Sequence, residues 1–245
     1  MYLSVIIGTH NEAAYIPALL DSLTRYKASV PYDMEIIVVD DFSTDPVVQD
    51  AFNTHRSDIV LHTHAVDGDY GRHKTIMNSF ASAPWILNLD ADETISEDLF
   101  INVQHILNNN AYDVYALPRV NIVDGMPLSY LRQWGVSIHQ FDDITSRHTR
   151  PIDSDVYALW RTYKLIVSET DTEILVRDPL IAWPDYQSRL YRNDPRIVWT
   201  RKVHEQLHGY TSLAQLPASP EFAIWHRKTF LRQQSQNASY ALLGG

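Results

Sequence analysis

The strongest constraint on the fold is an alternation. Apolar runs at 3–7, 34–39, 59–61, 85–89 and 114–117 read as strands, and helical stripes lie between several of them. Ile16, Leu19, Leu20 and Leu23 recur at intervals of three and four. Ile76, Met77 and Phe80 face inward from a helix over 73–82. Leu99, Val103, Ile106 and Leu107 give another stripe, stopped by Asn108, Asn109 and Asn110. Asn11 or Thr9 is the expected cap of the first helix, and Pro118 the stop of the last strand. This order predicts an α/β fold, a mostly parallel sheet with helices on both faces. Such sheets bind ligands at the carboxyl ends of their strands, so the residues just after each run carry the information.

The run at 85–89 ends in Asp90-Ala91-Asp92-Glu93. An Asp-x-Asp pair there can hold a divalent cation together with the ribose or phosphates of a nucleotide, and hard oxygen ligands suit Mg²⁺ or Mn²⁺. An ordinary acidic turn would match the same letters. The first run ends in Gly8-Thr9-His10-Asn11-Glu12. Glycine allows a tight turn and close backbone approach to a ligand; the alternative is a helix start with Glu12 in its first turn. The second run ends in Asp40-Asp41-Phe42-Ser43-Thr44-Asp45, either an acceptor for base N–H and ribose hydroxyls or a capped loop. Gly71-Arg72-His73-Lys74, with Asn78 a turn beyond Lys74, is a cationic helix start that can meet base or phosphate, or a solvated charged turn.

The second half differs. It has short strand-like runs at 163–167 and 174–176, many Pro, Asp and Arg, and an irregular stretch over 121–160 that reads as a long excursion or lid. The boundary near 118–125 is soft, and the halves are expected to share one core. Beyond 183–192, Val203-His204-Glu205 offers a carboxylate beside an imidazole, a general-base candidate or a surface ion pair with Arg201 or Lys202. His226 follows an apolar run as a metal ligand or a hydrogen-bonded core residue. Arg147, His148, Arg150 and Arg161 form a local basic patch. Arg227, Lys228 and Arg232 on a C-terminal helix read as solvated charge rather than as a membrane-touching face.

Composition narrows the partners. With 245 residues, 45% of them hydrophobic, the chain can build one sizeable core. A formal net charge of −10 disfavours nucleic-acid backbone and anionic membrane outside a basic patch. There is no cysteine, which removes disulfides, thiolate metal sites and cysteine nucleophiles. The apolar N-terminus is too short for a signal-peptide core and has no basic leader, and no run reaches the length of a membrane span. A soluble cytoplasmic protein is the simplest expectation.

Taken in order, Ser4 to Glu12, Glu35 to Asp45, Gly71-Arg72 through Asn78, and Leu89 to Glu93 resemble family 2 glycosyltransferases of the GT-A fold. The resemblance covers roughly the first half. Pro184-Asp185-Tyr186-Gln187 with Arg189-Leu190, then Val203-His204-Glu205, resembles the subgroup that includes lipopolysaccharide-core glucosyltransferases. The resemblance implies inverting transfer from a nucleotide-diphosphate sugar, a UDP-sugar favoured, with Mn²⁺ or Mg²⁺. It places Thr9, His10 and Glu12 on the first nucleotide-contacting turn, although the family usually has Tyr where His10 stands. Asp40 or Asp41 falls on the base-binding acid, Arg72 on a second base contact and Asp90 on the acid near the ribose. Asp92 matches the metal ligand, and His226 completes the metal shell. Glu205 falls near the catalytic base, where many members carry Glu-Asp rather than His-Glu. Arg189 would add positive charge near the diphosphate. The expected division is a donor-binding half over 1–120 and an acceptor-binding, base-supplying half over 121–245. The acceptor hydroxyl is open: lipopolysaccharide core, another or lipid-linked glycan, a protein, or hydroxymethylated DNA bases. A nucleotidyltransferase would want a basic, Gly-rich phosphate loop, which Gly8 to Glu12 lacks. A non-catalytic sugar or nucleotide-binding module is the other alternative, and the presence of every expected acid argues against it.

Overall fold

A computed structural model describes residues 2–108, 111–127, 130, 167–169, 174–176 and 180–243. In chain order the elements are β1 (Leu3–Thr9), α1 (Ile16–Ser29), β2 (Met34–Asp40), α2 (Pro46–Thr54), β3 (Ile59–Thr63), α3 (Tyr70–Asn78), β4 (Trp85–Asp90), β5 (Glu93–Ile95), α4 (Glu97–Asn108) and β6 (Val114–Asp124). Then come β7 (Met126–Pro127), β8 (Val167–Glu169), β9 (Ile174–Val176), β10 (Leu180–Arg192), β11 (Val198–Thr200), β12 (Gln206–His208), β13 (Leu213–Gln215), β14 (Ile224–Thr229) and a final helix, α5 (Phe230–Leu242). The main sheet runs β3-β2-β1-β4-β10-β6-β14-β5, with β13 beside β6. Its first four strands are parallel, and β10 enters antiparallel between β4 and β6.

Period-two burial explains the layers. On β1, Val5 and Ile7 join a core containing the apolar stripes of α1, α2 and α4, while Ile6 packs on the other face with Met77 of α3. β2 repeats the pattern, Ile36 and Val38 against Ile37 and Val39. Strands buried on both faces read as continuous apolar runs, as these do. Among the described residues no helix is long and apolar enough to cross a membrane.

Three local expectations change. Neither Asn11 nor Thr9 caps α1. Its N-cap is Tyr15, without a side-chain bond, and Pro17 supplies a helix start that needs no N–H. Thr9 is the last residue of β1. Asn11 instead sits at φ 53, and its Oδ1 accepts from the backbone N–H groups of Thr44 and Asp45 at 2.8 and 2.9 Å. Pro118 does not end its strand, and 121–124 are strand rather than irregular. On one edge of β6 the partner changes from β13, which reaches Ala116, to β14, which begins opposite Arg119. The proline lies in that break, where a missing N–H leaves no gap in the ladder. The helix placed over 73–82 is α3, which starts three residues earlier and stops at Asn78.

Candidate functional site

Parallel register sets the floor of the site. Thr9 lies opposite Asp40, and Gly8 opposite Asp90, so three strands deliver their polar ends to one edge. Above that edge is a cleft of about 1160 Å³, lined by Thr9, His10, Glu12, Asp41, Asp90, Asp92, Glu205 and His226, and also by Lys74, Arg119, Asp185, Lys228, Arg232 and Tyr240. The Thr9 hydroxyl is buried there without a hydrogen-bond partner. The His10 Nδ1 lies 2.5 Å from the Asp41 carbonyl oxygen and 3.8 Å from its carboxylate.

Asp90 is held by cations. Arg189 donates to its Oδ2, and the Lys74 ammonium lies 2.9 Å from Oδ1. Burial alone would raise this carboxyl, but Arg189 and then Lys74 hold it well below the usual carboxylate range. Beneath it Glu93, 1% exposed, accepts from Arg189 at 2.8 Å and Arg119 at 3.3 Å, and its other oxygen accepts the Asp90 N–H at 3.0 Å. Asp90 and Glu93 are thus neutralised under the cleft by Arg189, Lys74 and Arg119.

Asp92 lies beside a second network. Burial, the largest single influence, raises its carboxyl, but the His226 contact and then Arg232 together bring it down to about 2. His226 Nε2 lies 3.4 Å from Asp92 Oδ2, and its Nδ1 lies 2.9 Å from Asn121 Oδ1. The Asn121 amide nitrogen donates to Asp185, so its oxygen is the acceptor and the imidazole Nδ1 is the donor. A neutral ring would therefore turn an acceptor nitrogen toward a carboxylate oxygen, and a protonated ring would donate to it. Two acceptors facing each other call for a cation, either a proton on the ring or a metal ion. Asp185 is itself saturated, taking bonds from Arg119, Asn121 and Gln187.

Glu205 follows β11 on a loop docked to α3. The N–H groups of Tyr70 and Gly71 donate to the carbonyls of Lys202 and Arg201, and Thr75 bonds both N–H and carbonyl of Trp199. A turn along the same helix, Lys74 reaches toward Glu205 at 3.7 Å. Asp185 takes four donor contacts, whereas Glu205, with Lys74 at 3.7 Å, keeps acceptor capacity in the cleft.

The structure separates three of the residues named from sequence. Asp40 is buried behind the turn, where its carboxylate accepts the Ser43 N–H. Arg72 is exposed and does not line the cleft. Arg189, expected near a diphosphate, lies below the floor at 3% exposure. Lys228 and Arg232, read as solvated charge, instead face the cleft, while Arg227 is outside it and pairs with Asp124. The basic patch of Arg147, His148, Arg150 and Arg161 lies outside the described residues. Glu93, named only as the end of its tetrapeptide, and Arg119 drew no role from sequence because their charged partners lie 26 to 96 residues away. A basic residue in the strand before Asn121 was the one visible signal.

Residues 4–167 match the family model described as glycosyl transferase family 2. Undecaprenyl-phosphate 4-deoxy-4-formamido-L-arabinose transferases of Yersinia pestis and Yersinia pseudotuberculosis are each 31% identical over 128 residues, which is 50% of this chain and 38% of theirs. The match thus takes in well under half the length of those relatives. A crystal structure of S. aureus TarS 1-349 in complex with UDP-GlcNAc aligns with a TM-score of 0.54 at 17% identity, covering 93% of this chain and 59% of that one. At that identity the likeness shows the fold, and it is the expected GT-A arrangement. None of these names places the chain in the lipopolysaccharide-core subgroup.

Proposed function

The chain belongs to glycosyl transferase family 2, and we propose that it transfers a sugar, with inversion, from a nucleotide-diphosphate sugar to an acceptor hydroxyl. The observation that carries this reading is the convergence of Asp90, Asp92, His226 and Glu205 on one cleft. The first half supplies the donor-binding edge, and the second half brings the base and the acceptor side. Thr9, with its unpartnered hydroxyl, and His10 and Asp41 receive the nucleoside. A UDP-sugar is the favoured donor, in keeping with the ligand of the TarS structure.

Asp92 and His226 fit a divalent cation. The carboxylate is ionised, the facing nitrogen of a neutral ring is an acceptor, and Asn121 fixes the ring as outer-shell partners of metal-bound histidines do. Among the described residues no group of three or more such side chains gathers, so two protein ligands would leave the remaining positions to phosphate and water. A bound Mn²⁺ or Mg²⁺ supplies charge against the leaving diphosphate. Glu205 takes the proton of the acceptor hydroxyl as its oxygen bonds to the anomeric carbon, and the bond to the diphosphate breaks on the opposite face.

Calorimetry across UDP-, GDP-, CMP- and dTDP-sugars, with and without Mn²⁺, tests the site. One nucleotide class should bind in a Mn²⁺-dependent way, and Asp92→Ala should lose it. Binding by no donor would favour a non-catalytic module. Glu205→Gln should keep donor affinity while transfer falls by about 10²–10⁴-fold. The Yersinia relatives carry a lipid phosphate in their names, which favours a lipid-linked acceptor as a second reading. A phosphate acceptor arrives ionised and needs no base, so unchanged turnover in Glu205→Gln would remove that residue from the mechanism and support a phosphate oxygen as nucleophile.

A further inference from the structure

α5 lines the cleft yet has no buried residue of its own, and Leu231 and Leu242 are 75% and 89% exposed. A helix with so little apolar burial is weakly held by packing. Its attachments are polar and aromatic. Lys228, just before it, donates to Gln236 at 2.8 Å, and the Tyr240 ring meets Tyr70 and His204. The charged attachment is Arg232. One nitrogen, Nη2, donates to Glu12 of the first turn at 2.7 Å and to Asp92 at 3.1 Å, while Nε is buried without a partner. The Asp92 oxygen it takes is Oδ2, the same atom that faces His226.

We propose that Arg232 is a positioning residue that neutralises Asp92 in the donor-free protein and latches α5 across the cleft, so that a divalent cation at Asp92 displaces it and loosens the helix. The inference rests on the assignment of Asp92 as cation ligand. A guanidinium and a divalent cation on one carboxylate oxygen repel at short range in a partly dry site. Linkage makes the effect mutual: the latch weakens cation binding by the factor by which the cation weakens the latch. Glu12 keeps the displaced guanidinium near the turn that receives the donor.

The test uses the full chain without donor. Free Mn²⁺ is followed by electron paramagnetic resonance, and amide exchange of 230–242 by mass spectrometry. Arg232→Gln should bind Mn²⁺ about tenfold more tightly than wild type. Mn²⁺ should speed exchange across α5 in wild type, whereas in Arg232→Gln exchange should already be fast and indifferent to Mn²⁺. Tighter Mn²⁺ binding with unchanged protection of α5 would show a local charge effect and overturn the latch, as would equal affinities. Glu12→Gln, which leaves Arg232 and Asp92 in place, should also speed α5 exchange before Mn²⁺ is added; unchanged exchange there overturns the latch even if Arg232→Gln fails to fold. Wild-type Mn²⁺ binding that Asp92→Ala removes keeps the cation assignment standing if the latch fails. No Mn²⁺ binding in wild type or Arg232→Gln overturns both.

Discussion

Arg189 carries its charge at 3% exposure and pairs its terminal nitrogens with Asn88, Asp90 and Glu93, while its Nε is buried without a partner. Its place could not be read from strand periodicity, because the β10–β6 register shifts between Ser188 and Leu190, and a bulge re-aims the side chain beside it. Removing one partner of a buried charge set leaves the others uncompensated. Arg189→Met, which keeps most of the volume, should therefore cost about 3–5 kcal/mol in urea unfolding at neutral pH. The sign with pH follows from Asp90, whose folded value lies below the ordinary 3.8. Its stabilisation is full above that ordinary value and is lost as pH falls through the lower folded one. The gap between wild type and Arg189→Met should thus be widest near neutrality and narrow below pH 3.8. A gap that widens in acid would mean that Asp90 is not the partner that matters.

At the scale of elements, α3 links the β1, β2 and β4 strand ends to Glu205, the proposed base. Its first N–H groups anchor the loop that carries Glu205, and its Lys74 stands between Asp90 and Glu205. Gly71 makes the contact close enough. A Cβ there would fall 2.4 Å from the Arg201 carbonyl oxygen and 2.7 Å from the Thr200 carbonyl carbon, both backbone atoms that cannot swing aside. Gly71→Ala should push the loop off the helix, costing about 1–3 kcal/mol by the usual scale of overpacking. Turnover should fall more than donor affinity, because the base moves while the β1, β2 and β4 ends stay. Thermal melts and donor calorimetry check the two parts; an equal loss of both would place the damage on the donor edge. The sequence made α3 legible as an element, since burial repeats within nine residues. It did not show the docked loop, whose bonds join positions more than a hundred residues apart. Asp90 and Asp92 were legible for the opposite reason: a strand end and its acids are neighbours in the chain. Arg232 on α5 and Lys228 on β14, expected together on one helix, were not, because which face of a short polar element meets a cleft is decided by what the rest of the chain has built.

Over the whole molecule, the segments 1–120 and 121–245 share one sheet and one core among the described residues. β10 lies between β4 and β6, so a strand from the second half completes the first half's sheet. Leu190, Leu216 and Ile224 belong to the same buried cluster as the stripes of α1, α2 and α4. Tyr191, fully buried, receives a bond from Trp199 and donates to Asn78 of α3. A fragment ending at 120 would keep β1 to β5 and part of β6 but would expose the β4 edge and the faces that these residues cover. Unpaired edges and uncovered apolar faces favour association over folding. The fragment should therefore lack the dispersed amide spectrum of a folded domain, and the intact chain should unfold in one transition by fluorescence and far-ultraviolet dichroism alike. A fragment that folds alone and binds the donor would show that the donor site needs only its local strands. In that case Arg189, absent from the fragment, would support the acceptor side rather than Asp90, and the depressed acidity of Asp90 would have to survive on Lys74 alone.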